Sequence, residues 1–312
     1  MRVNAPAIRV SRILCDVSEV QRRRKQDTAM DIHLLLVPYD TARHRWRSGA
    51  GPEYLLQAGL AAHLQAQGHF IADMQMIEPD PDQPLAEIGT GFELIRRVAL
   101  AVRAARAADR FPVVLSGNCN SAVGTLSGLT PASRAIFWFD AHGDCNTPET
   151  TTTGFLDGTG LATALGLCWH RLSSTIPGYR PVPAEATFLL GARDLDPLEA
   201  ELIARSAITS VSVAQTPTAL PQLVTRSTFE DTLGYLHLDV DVLDPETVGR
   251  ANSLPVSGGL SIEQLTAAIA AIRARIPLGA AALASYAPEY DSQQGVRRAA
   301  FAALDAILVD HA

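Results

Sequence analysis

Short unbroken apolar runs recur along this chain, and most are followed by a longer Ala- and Leu-rich stretch with helical spacing. Candidate strands are Ile32–Val37, Phe70–Met74, Val113–Leu115, Ile136–Phe139, Thr187–Leu190, Ile208–Val213, Tyr235–Leu238 and Ala281–Ser285. Their apolar character is continuous rather than alternating, so each strand must be covered on both faces. Helices are predicted over Tyr54–Gln67, Phe92–Ala107, Ala122–Leu129, Leu161–Leu167, Pro197–Arg205, Ile262–Arg275 and Gly295–Val309. This largely βαβα order predicts a three-layer α/β/α sandwich with a central, mainly parallel sheet of about eight strands. No repeat, low-complexity tract or linker divides residues 31–312, which are expected to form one domain.

Composition narrows the possible partners. With 312 residues, 47% of them hydrophobic and 19% charged, the chain can bury a large core and is not disordered. A net charge of −7 argues against general binding to nucleic acid or anionic membranes. No apolar run approaches the roughly 20 residues that cross a bilayer. Four cysteines, none in a CxxC pair, are too sparse for a disulfide framework and favour a reducing, cytoplasmic setting.

Residues 1–29 carry seven basic and three acidic side chains, including Arg22-Arg23-Arg24-Lys25. They lack the apolar core of a secretory signal. Residues 1–30 are expected to be a poorly ordered extension, with Met30 a possible start and a partner-binding arm the second reading. Deleting residues 1–29 separates the two.

Two acidic clusters stand directly after apolar strands: Asp140-Ala141-His142-Gly143-Asp144, and Asp239-Val240-Asp241-Val242-Leu243-Asp244-Pro245. Residues two apart in extended chain point to the same side, so Asp140, His142 and Asp144 can converge, as can Asp239 and Asp241. Ligands of open parallel sheets bind beyond the carboxyl ends of strands, where both clusters lie. Carboxylates gathered there would repel one another unless cations neutralised them. Carboxylate plus imidazole suits Mn²⁺, and two ions sharing a carboxylate would make a nucleophile of a bridging water.

With these clusters the chain resembles the ureohydrolase superfamily of arginases, agmatinases and formimidoylglutamases. The match includes Val37-Pro38-Tyr39 with Gly51-Pro52, then Gly191-Ala192-Arg193-Asp194-Leu195-Asp196-Pro197, and Leu254-Pro255-Val256-Ser257-Gly258-Gly259-Leu260. The resemblance implies an arginase-like domain holding two Mn²⁺ ions, with a bridging hydroxide attacking a guanidino or formimino carbon. It assigns Asp140, Asp144 and Asp239 to one ion and Asp140, His142, Asp239 and Asp241 to the other. It also implies a trimer or hexamer, a substrate contact for Asn146, support of the substrate end by Asp194, and a small guanidino or amidino substrate.

Three departures bear on that expectation. Where the family carries a GGDHS motif, this chain has Ser116-Gly117-Asn118-Cys119-Asn120-Ser121, which puts Cys119 at the histidine ligand position. A thiol of ordinary pKa, about 8.5, becomes a ligand when a dication deprotonates it. Otherwise Cys119 is a small buried hydrophobe. In Thr152-Thr153-Gly154-Phe155-Leu156-Asp157-Gly158, Asp157 replaces the histidine proposed in arginases to shuttle protons, and Asp157 is expected to act as a base or a cation-binding group. Ser285 occupies the position of a guanidinium-binding glutamate, which Glu289 could replace only from elsewhere on its loop.

A similar Cys replacement marks the family's hydroxyarginine amidinohydrolase branch, so a hydroxyarginine- or arginine-like substrate is expected. Alternatives are a formimidoylglutamase-type hydrolase, a weakly active homologue with a metal-dependent structural or regulatory role, and a deacetylase-like amidohydrolase. His237, inside a strand, is read as a hydrogen-bonded core residue, and a Cys119–Cys145 disulfide is not expected.

Overall fold

A computed structural model describes residues 29–82, 86–130, 132–216, 220, 222, 229 and 231–309, so the basic N-terminal segment lies outside the described residues. Eight strands form the central sheet: β1 (Asp31–Val37), β2 (Phe70–Met76), β3 (Phe111–Ser116), β4 (Ser133–Phe139), β5 (Thr187–Leu190), β6 (Thr209–Val211), β7 (Thr232–Asp239) and β8 (Leu278–Ala284). Their order is β2-β1-β3-β8-β7-β4-β5-β6, and every pairing is parallel. Each apolar run of the sequence is one of these strands.

The two-sided burial that continuous apolar strands require is met by two layers of helices. One face of β1 sends Leu35 and Val37 into a cluster with Phe92, Ile95 and Val98 of α3 (Glu87–Ala107) and Val123 and Leu126 of α4 (Ser121–Gly128). The other sends Leu34 and Leu36 toward Leu265 and Ile269 of α7 (Ile262–Arg273) and Ala303 and Leu304 of α8 (Gly295–Leu308). Burying each large side chain stabilises the fold by roughly 1.5–3 kcal/mol, so the sheet is a rigid platform for whatever its ends carry.

Two predicted helices are shorter than their apolar periodicity suggests. The stretch 54–67 is two helices, α1 (Gly51–Gln57) and α2 (Leu60–Ala66), because Gly59 adopts φ +94° between them. The helix predicted over 161–167 is α5 (Gly160–Ala164), which stops early as Gly166 turns left-handed at φ +75°. A ribbon pairing Tyr39–Asp40 with Arg43–His44 follows β1, and its two-residue strands are too short to leave a periodic signal. No helix among the described residues is long and apolar enough to cross a membrane.

Candidate active site

The four central strands, β3, β8, β7 and β4, are consecutive neighbours, and their carboxyl ends deliver the chemistry-bearing residues side by side. Cys119 follows β3, Ser285 follows β8, Asp239 ends β7, and Asp140 follows β4. Ser285 and Asp239, together with His142, Asp144, Asn146, Asp157 and Asp241, line a cavity of about 250 Å³, and Cys119 and Asp140 are buried against that lining, beside Asp239 and His142. The convergence expected from residue spacing along each strand is therefore completed by adjacency between strands.

The acids are buried and tied to the backbone at close range. Asp140 accepts from the Trp138 indole N–H (3.0 Å) and the His142 amide (2.7 Å). Asp241 accepts from the Ala141 amide (3.2 Å) and Asn252 Nδ2 (3.0 Å). His142 Nδ1 lies 3.4 Å from Asp140 Oδ1 and 3.3 Å from Asp241 Oδ2. Cys119 Sγ lies 3.0 Å from Asp239 Oδ2, and its amide donates to Asp157 Oδ1 at 2.6 Å.

Two backbone positions are held in the left-handed region to achieve this: Asp144 at φ +47° and Ser285 at φ +65°. Non-glycine residues rarely adopt such angles, and they persist where the surrounding structure over-determines them. Gly143 is needed for a different reason. A Cβ there would lie 2.6 Å from the Glu199 carboxyl group, which accepts the Cys145 amide at 2.8 Å and joins helix α6 (Pro197–Arg205) to this loop.

Charge is poorly balanced in this space. Burial, reinforced by Asp140, raises Asp144 well above the ordinary carboxylate range, and burial reinforced by Asp241 does the same to Asp239. Burial and the Asp239 charge likewise raise the Cys119 thiol. Asp144 Oδ2 is buried with no hydrogen-bond partner. An orphaned carboxylate oxygen among other buried acids is what a cation site requires.

Among the described residues, three sets of donors lie close enough together to share an ion: Asp140, His142 and Asp241; Cys119, Asp144 and Asp157; and Cys119, Asp140 and His237. His237 is fully buried, stacked 3.8 Å from the Trp138 ring, with Nδ1 against the Tyr235 hydroxyl at 3.0 Å and Nε2 unpartnered. Cys119, Cys145 and Cys168 are free.

Beyond the acids, Asn146 Nδ2 donates to Asp196 at 3.0 Å, and Thr152 donates to the same carboxylate at 3.0 Å. Asp194 lines the cavity beside Asp196. Glu289 stands apart, exposed on a 3₁₀ turn begun by Pro288, and does not line the cavity. Asp40, Arg47, Asn252 and Ser253 line it too, although no motif in the sequence singles them out. The Asn252 link to Asp241 spans only 11 residues but depends on a loop fold that no periodicity reveals.

Fold and site together define a parallel α/β protein with a cation-competent acidic centre at the carboxyl ends of its central strands. A model of the arginase family matches residues 30–309, and the chain belongs to that family. It is 30% identical to an arginase of Bacillus caldovelox over 253 residues, covering 75% of this chain and 83% of the relative. With an arginase of Brevibacillus brevis identity is 31% over 249 residues, 73% and 80% of the two chains. The crystal structure of an arginase from Bacillus subtilis superposes with a TM-score of 0.80 at 25% identity, covering 90% of this chain and 99% of that one.

Proposed function

We propose that this arginase-family hydrolase cleaves a C–N bond of a linear guanidino or amidino compound, hydroxyarginine- or arginine-like, with two Mn²⁺ ions. The carrying observation is the buried acid cluster of Asp140, Asp144, Asp239 and Asp241, with one oxygen left unpartnered. Asp140 and Asp239 would be shared by both ions, Cys119 and Asp144 would serve one, and His142 and Asp241 the other. When bound, such ions lower the pKa of water and polarise the carbon it attacks.

The remaining residues orient a substrate. Asn146, Asp194 and Asp196 make a polar wall for the amino-acid end of a linear molecule, and the acids at the other end attract a positive amidine. Asp144 and Asp157 are the carboxylates placed for acid–base work there. Ser285 presents a hydroxyl where arginases place a guanidinium-binding glutamate. That loss favours a substrate less basic than arginine, and it is also the observation that favours formimidoylglutamase-type hydrolysis, or weak activity with a structural or regulatory role, as the second reading. Glu289, exposed on its turn, would reach substrate only if that loop closed over the cavity. Residues 31–312 act as one catalytic domain, in a cytoplasmic trimer or hexamer, and residues 1–30 are dispensable.

Product analysis tests this. The Mn²⁺-loaded protein is given arginine, N-hydroxyarginine, agmatine, guanidinobutyrate and formiminoglutamate in parallel. Hydroxyurea or urea release with the highest kcat/KM on N-hydroxyarginine is expected. Preference for formiminoglutamate would establish the second reading, and no turnover by protein holding two ions would reject hydrolysis altogether.

A further inference from the structure

We propose that Asp157 is a metal ligand: it joins Cys119 and Asp144 around one cation, in place of the imidazole that this chain lacks at position 119. The inference rests on the binuclear reading above and adds a residue that arginases use differently.

One oxygen of Asp157, one oxygen of Asp144 and Cys119 Sγ all lie within 4.8 Å of one another. Tetrahedral donors around one ion, at roughly 2.3 Å for sulfur and 2.1 Å for oxygen, lie roughly 3.4–3.6 Å apart, so these three share one by drawing together by at most roughly 1.4 Å. The Asp157 carboxylate accepts a 2.6 Å bond from the Cys119 amide, which holds it against the backbone of the residue it would ligate beside. Asp144 supplies the independent sign of a missing partner, since its Oδ2 is buried and unpaired in the same space.

The residue types agree with this placement. Histidine at position 157 would be longer and neutral or cationic, whereas aspartate is short, anionic and suited to close approach to a dication. A thiolate with two carboxylates is a softer set than the Asp140, His142 and Asp241 group opposite, so this position should accept Co²⁺, Zn²⁺ or Fe²⁺ more readily than its neighbour. For Asp157, ligation replaces the acid–base role given above, which is then left to Asp144.

The full-length protein, stripped by chelation, is titrated with Co²⁺ and followed by thiolate-to-cobalt absorption and by metal stoichiometry. Wild type should take two equivalents, one of them bringing the thiolate band. Asp157→Asn should weaken that equivalent at least tenfold while the other is unchanged, and Glu201→Gln, exposed on α6 and outside the cavity, should leave the band intact. An Asp157→Asn protein with an unaltered band and affinity would overturn the ligand assignment and leave the binuclear reading standing. A wild-type protein that binds no Co²⁺ or Mn²⁺ would sink both. Should the variant fail to fold, a crystal structure of the Co²⁺-loaded wild type decides: an Asp157 oxygen about 2.0–2.2 Å from the ion supports the assignment, and one beyond about 3 Å overturns it.

Discussion

The two ends of the acid cluster solve the same electrostatic problem differently. At the Asp140, His142 and Asp241 end, nearly every polar atom has a protein partner: the Trp138 indole, two loop amides, Asn252 and the His142 ring. Burial works against a charged His142, but hydrogen bonds to Asp140 and Asp241 overrule it and push its pKa up to about 12. Asp241 is held down at about 2 despite burial by the same imidazole. At the Cys119, Asp144 and Asp157 end no imidazole bridges two carboxylates, burial raises all three groups, and Asp144 keeps an unpaired oxygen. One end is organised in advance by the protein, and the other is completed by what binds.

The sharpest way to break this contrast is through the aspartates that would serve both ends. Asp239→Asn should lower kcat/KM by more than about a hundredfold, the upper range for losing a group that merely orients a ligand, and should deplete both ions by metal analysis. A variant retaining turnover within tenfold would make the two ends independent.

A smaller effect is expected from Asn252→Ala, which removes the 3.0 Å donor that orients Asp241. Mn²⁺ affinity at the preorganised end should fall ten- to a hundredfold while the thiol-bearing end is unchanged, as calorimetric titration would show. Equal weakening of both ends would mean that Asn252 supports the cluster as a whole.

How much of this was legible in the chain follows the same division. Strand identity was readable because two-sided burial demands continuous apolar runs, and Asp140, His142, Asp144, Asp239 and Asp241 were readable because each group is packed into a few residues at the end of a strand, although Asp241 sits in a 3₁₀ turn and Asp144 at φ +47° where extended chain was expected. Asp196 and Glu199 were harder, since their bonds to Asn146 and Cys145 cross some 50 residues of sequence and arise only when helix α6 docks on the 140–146 loop. Asp40 and Arg47 reach the cavity through a ribbon too short for any periodic signal. Glu289 shows the reverse, since an acid in a matching loop stays outside the cavity when a 3₁₀ turn leaves it in solvent.

Restoring the family's histidine should make the two ends alike. Cys119→His supplies the missing imidazole donor and removes one anion from the set, so Mn²⁺ occupancy should be preserved or rise by several-fold in metal analysis. The raised thiol pKa points the same way, because a dication must displace a tightly held proton before Cys119 can bind it. Loss of both ions from a folded Cys119→His protein would show that the thiol, not the carboxylates, organises that end.

The smallest effect concerns Asp40, whose charge adds to that on Asp157. Burial pushes Asp40 up to about 6 from an ordinary 3.8, against the pull of Arg47. A folded-state pKa above the unfolded one means that the folded protein binds the proton more tightly. The stabilisation is therefore complete below 3.8, fades as pH rises toward 6 and is absent above it. Two units correspond to about 2.7 kcal/mol, reduced to about 1 kcal/mol because the carboxyl group keeps contact with solvent in the cavity. Asp40→Asn, neutral at every pH, should therefore raise Tm by about 2–4 °C at pH 8, with the gain shrinking to about a third of that at pH 4.5. Equal gains at both values would trace the effect to packing, and a loss at pH 8 would show that the Arg47 attraction outweighs desolvation, removing Asp40 from the excess charge of the thiol-bearing end.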